Sequence, residues 1–64
     1  MKINKDKVLI CMARKGITNK TMAEEYGCSR QYISIILSKG SVKPATAGKI
    51  AKALGVDVTE IIDL

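Results

Sequence analysis

The side chains best suited to recognising another molecule gather at Ser29, Arg30, Gln31 and Ser34, with Ile35 alongside. A guanidinium, a carboxamide and short hydroxyls offer hydrogen-bond donors and acceptors, so their chemistry is that of binding. Nothing in the chain supplies bond-breaking chemistry. There is no histidine, no phosphate-binding glycine loop and no carboxylate pair placed for acid–base work, so an enzyme is not expected. Cys11 and Cys28 sit 17 apart, with no C-x-x-C and no histidine to complete a metal site. They read as packed or partly exposed thiols in a reducing cytosol, and no cofactor or metal is expected.

Two short helices hinged at a glycine would position these groups. In the first, Met22, Ala23 and Tyr26 form one apolar face at helical spacing, with Ile17 just ahead. Gly27 is the stop, because the residue after a helix often needs a positive φ. Ser29 can cap the next helix by accepting from a backbone N–H that has no partner. There Ile33, Ile36 and Leu37 repeat the i, i+3, i+4 pattern and point inward, leaving Arg30, Gln31, Ser34 and Ser38 outside. Ala23 is small enough for two helices crossing through a 3–4-residue turn to approach closely. A helix with polar and cationic side chains at its start is how a small protein enters the DNA major groove.

With Asn19 as first position of the motif, Ala23 falls fifth, Gly27 ninth, Ile33 fifteenth and Ile36 eighteenth. This order resembles the helix-turn-helix of the phage Cro/repressor (XRE) family, at about residues 19–38. The likeness continues through Arg14-Lys15-Gly16-Ile17 before the motif, and through Lys43-Pro44 and Ile50 to Val56 after it. It implies one domain over residues 1–64, all-α, on the compact five-helix plan of lambda-repressor-like proteins.

The expected helices follow from local signals. Asn4 caps a helix over about residues 5–15, ended by Gly16, with Val8, Leu9 and Met12 suited to burial. Val8 to Ala13 is apolar without interruption, so Ile10 or Cys11 must take a less buried face. Helices over about 19–26 and 30–38 follow, with Gly40 close after the second. Pro44 suits the first turn of a fourth helix, whose stripe is Ala47, Ile50, Ala51 and Leu54, with Gly55 as its stop. Asp57 caps a fifth over about residues 58–63.

The resemblance implies two groups of DNA contacts. Base reading would come from Arg30, Gln31 and Ser34, with Ser29 and Ile35 as further candidates. Arg30 can fork onto guanine O6 and N7, Gln31 can bind adenine N6 and N7, and Ile35 can meet a thymine methyl. Alternatively Arg30 touches only phosphate, and Ile35 packs under Tyr32 or the following loop. Backbone contacts would come from Thr18, Asn19, Ser38, Lys39, Ser41 and Lys43, where N–H groups at a helix start also favour phosphate. Asn19 and Leu37 depart from the family pattern, which often carries glutamine and glutamate there. The glutamate can pair with a helix-one arginine, whose place Met12 takes, so Met12 and Leu37 are expected to touch.

Charge is laid out unevenly. Residues 28–53 carry Arg30, Lys39, Lys43, Lys49 and Lys52 with no acid, within a net charge of +5. The last ten residues carry Asp57, Glu60 and Asp63 with no base. This fits a polyanion on one face and another role at the C-terminus, while Lys5 and Lys20 read as solvated charges. Phe, Trp and His are absent, so the core must be aliphatic. No apolar run approaches ~18 residues and no signal-peptide core follows Met1, so the expected location is cytoplasmic.

Val58, Ile61, Ile62 and Leu64 are candidates for a dimer interface, in solution or only on DNA; alternatively the first three close the monomer core. The leading expectation is a double-stranded DNA-binding regulator of phage or bacterial type, most simply a repressor on a palindromic operator, with no small-molecule substrate. An antitoxin or a regulator of a mobile element or restriction system is an alternative on the same fold. A helical protein–protein adaptor is an alternative of another class.

Overall fold

Short polar residues and glycines set the helix limits in the computed structural model, which describes residues 1–63. Helix α1 (Lys5–Lys15) begins at Asn4, whose side chain accepts from Lys7 N, and ends at Gly16. Helix α2 (Asn19–Tyr26) begins at Thr18, whose hydroxyl accepts from Thr21 N. Its stop, Gly27, has φ 87°, a conformation that a Cβ would strain. Helix α3 (Arg30–Lys39) starts at the Ser29 cap, and α4 (Pro44–Leu54) places its proline in the first turn. A single 3-10 turn, Val58–Glu60, follows. Two-residue strands β1 (Lys2–Ile3) and β2 (Ile62–Asp63) pair antiparallel, Lys2 opposite Asp63 and Ile3 opposite Ile62.

The core is aliphatic, and no polar side chain is buried among the described residues. Met22, Ile33, Ile50, Leu54, Ile61 and Val8 are fully enclosed. Each such side chain contributes ~1.5–3 kcal/mol by leaving water. Met12 and Leu37 lie in the same buried cluster, so packed apolar groups occupy the sites where relatives can hold an ion pair. That exchange is often neutral or stabilising. At the far end, Lys15 Nζ donates to Gly55 O at 2.8 Å and ties the end of α1 to that of α4.

Two expectations are corrected. In α1 the inward face is Val8, Cys11 and Met12. Leu9 lies one step off that phase and, with Ile10, stays about half exposed. The fifth helix is replaced by one 3-10 turn and β2. Asp57 Oδ1 accepts from Thr59 N at 2.9 Å, and Glu60 Oε2 accepts from Asp57 N at 3.2 Å. The Thr59 N–H, then the Thr59 hydroxyl, hold the Asp57 carboxyl below its ordinary pKa. Beyond that turn the β-branched Ile62 favours extended backbone and pairs with Ile3.

The candidate dimer residues Val58, Ile61 and Ile62 sit within the protomer's own packing. Ile61 and Ile62 are 0% and 2% exposed within the protomer, and Val58 packs half-buried against the same cluster. Within one protomer Ile61 and Ile62 are thus part of the core, with Val58 at its edge. Leu64 lies outside the described residues.

Candidate nucleic-acid interface

Ser29 Oγ accepts from Tyr32 N at 3.1 Å, which fixes the first turn of α3 and aims the side chains that follow. Arg30, Gln31, Ser34 and Ile35 then project from α3 into one open concavity, whose opposite wall is Asn19 at the start of α2. Ile35 is 52% exposed, so it is free to contact a ligand rather than being packed away. The first amides of α2 have no intrahelical acceptor, and they lie beside this concavity with Asn19. Thr18 caps α2, its hydroxyl accepting from Thr21 N at 3.2 Å and lying 3.1 Å from Thr21 Oγ1.

A second groove adjoins the first and shares Ile35. Lys39 at the end of α3, Ser41 in the following loop and Lys43 before α4 line it, together with Tyr32 and Thr46. Three of the expected backbone contacts therefore meet in one place, and Ser38 stands outside both grooves as an exposed α3 residue. Ser29 also lies outside the first concavity, occupied as a cap.

Tyr32 and Thr46 were not among the residues expected from sequence. Tyr32 was legible only as an aromatic on α3, and its value depends on a groove that α4 completes. Its ring stands 5.9 Å from that of Tyr26 at 52°. Lys49 Nζ sits 5.0 Å over the Tyr26 ring, a cation–π contact that ties α4 to α2. Partial burial first, then the Tyr32 neighbour, raise the Tyr26 phenol above its ordinary pKa, so it stays neutral at physiological pH.

The charges nearest the two grooves are not consumed by ion pairs. Among the described residues the ion pairs are Lys7–Asp63 at 4.0 Å and Arg14–Glu60 at 3.9 Å. Both are well exposed, and such pairs contribute little. Arg30, Lys39 and Lys43 take no part in either. No group of side chains that could hold a metal occurs among the described residues, and no helix there is long and apolar enough to cross a membrane.

The geometry presents hydrogen-bonding side chains along one exposed helix face, flanked by hydroxyls, lysines and helix-start amides, the kinds of group that contact bases and phosphates in DNA complexes. A helix-turn-helix family model matches residues 10–61, taking in α2, α3 and α4 entire. No curated protein and no solved structure matches. Spanning most of the chain with the motif in place, that match makes this protein a member of the Cro/repressor-type (XRE) helix-turn-helix family of DNA-binding transcription regulators.

Proposed function

We propose that the protein is a sequence-specific repressor that binds a palindromic operator as a pair of copies and occludes a promoter. The observation that carries this reading is the joint exposure of Arg30, Gln31, Ser34 and Ile35 in one concavity, beside the Lys39–Ser41–Lys43 groove. The first set can discriminate base pairs by bidentate hydrogen bonds and methyl contact. The second neutralises phosphate and fixes register. Two copies would set two α3 helices one DNA turn apart, ~34–36 Å, with each half-site read by one of them.

Selection of bound duplexes from a random pool, followed by titration of the winning sequence, tests the proposal. A two-fold-related sequence should emerge. A pair making ~6–10 phosphate contacts should lose ~10³–10⁵-fold in affinity between 50 and 200 mM salt. Selection of no preferred sequence, or an affinity indifferent to salt, would refute operator binding.

A further inference from the structure

Strand β1 is paired on both edges. On one side Ile3 N donates to Gly40 O at 2.7 Å and Val42 N donates to Met1 O at 2.8 Å, and Lys2 bridges to Ser41. On the other, Lys2 stands opposite Asp63 and Ile3 opposite Ile62. Residues directly opposite on neighbouring strands project to the same face, with Cβ atoms ~4.5–5.5 Å apart. Ile3 and Ile62 are buried, whereas Lys2, Ser41 and Asp63 are exposed. Lys2 therefore shares its outer face with Ser41, in the loop that also carries Lys43.

The acid on its other side is already engaged. Asp63 Oδ1 accepts from Asn4 Nδ2 at 2.9 Å and lies 4.0 Å from Lys7 Nζ. The negative charge at that edge is thus drawn toward α1, leaving the Ser41 side favourable to an anion. A phosphate held at the Ser41 hydroxyl falls within the sweep of the longer Lys2 side chain.

We infer that Lys2 is a phosphate-contacting residue of the DNA interface, and that its strand positions the Gly40–Val42 loop against the sugar-phosphate backbone. The inference rests on the operator-binding reading above and adds a third chain segment to the backbone clamp. The partner atoms are non-bridging phosphate oxygens of duplex DNA, contacted without regard to sequence.

The test is a salt titration of Lys2→Ala, Lys2→Arg and Lys52→Ala on one preferred duplex and its single-base variants, each below its melting temperature. Lys52, late in α4, gives the same loss of charge away from β1. Removing one phosphate contact per copy should lower the log–log salt slope by ~0.9, or ~1.8 for a bound pair. The fall in affinity between 50 and 200 mM salt then becomes about twelvefold smaller for Lys2→Ala, equally for all variants. Lys2→Arg and Lys52→Ala should keep the wild-type slope. An unchanged slope in Lys2→Ala, or an equal fall in Lys52→Ala, overturns the assignment while operator binding stands. Absence of salt-dependent binding by the wild-type protein would instead defeat the operator-binding reading itself.

Discussion

Replacing Ile61 with alanine separates a core residue from an interface residue. Ile61 is 0% exposed within one protomer, so the substitution removes buried methylenes and leaves a cavity. Such changes cost ~2–5 kcal/mol, and full enclosure in a small domain favours the upper part of that span. At ~0.05–0.15 kcal/mol per residue, a chain of this size has ~3–10 kcal/mol of stability in all. A loss of ~3–4 kcal/mol therefore consumes a large share of it and lowers the melting temperature by roughly 15–30 °C. The matching control is Leu9→Ala, at a side chain 46% exposed, where a change within about 0.5 kcal/mol is expected. Both variants should be melted by far-UV circular dichroism at two protein concentrations a hundredfold apart. The result that refutes the reasoning is an Ile61→Ala protein with an unchanged melting temperature but weakened self-association in sedimentation. Ile61 would then serve a partner copy and not its own core.

Glycine-to-alanine substitutions should act with opposite signs at two sites. Gly48 lies inside α4 with open space where a Cβ would go, so Gly48→Ala should stabilise by ~1 kcal/mol. Gly27 has equal room but φ +87°, so Gly27→Ala should destabilise by ~1–2 kcal/mol through backbone strain; urea unfolding compares the two. Because folding lowers the Asp57 pKa, its contribution is present above the ordinary carboxylate value of ~3.9 and lost as pH falls through the folded value. Asp57→Ala should accordingly melt below wild type at neutral pH and converge with it in acid. Arg30→Ala should cost ~1–3 kcal/mol per half-site and relax preference at one base position. Lys43→Ala should weaken all sequences alike and lower the salt slope by ~1 for each phosphate it ceases to neutralise. A uniform loss in Arg30→Ala, measured over single-base variants, would make Arg30 a phosphate contact and pass base reading to Gln31, Ser34 and Ile35.

Much of the fold was legible because its signals are local. Asn4 and Ser29 each cap a helix within three residues, and Gly16, Gly27, Gly40 and Gly55 each end one. The inward faces of α3 and α4 follow from spacing alone. In α1 the unbroken apolar run from Val8 to Ala13 left the phase open, and only packing chose Cys11 over Leu9. The end of the chain departs from its local pattern for a different reason. Val58 to Asp63 has helical spacing and a capping residue, but its partner is β1, which a local pattern cannot reveal. The candidate site divides the same way. Arg30, Gln31 and Ser34 are visible from helix phase, whereas Tyr32, Thr46 and Lys2 acquire their places only when separate segments meet.

The pairing of β1 with both the loop and β2 also shapes the order in which the chain can assemble. Helices α2, α3 and α4 are joined by connections of a few residues, so their mutual packing needs only short loops to close. The contact of Asn4 with Asp63 joins groups 59 residues apart. Its length-dependent closure entropy is about 3.6 kcal/mol, against roughly 1.2 kcal/mol for a four-residue loop. The entropy favours packing the helices before the strands join. In reverse, parting the strands can free Gly40–Val42 while α2 and α3 remain packed, which makes this junction the natural place for sub-global opening. The loop after α3 is thereby governed by the most remote contacts along the chain, and α3 itself by the most local ones.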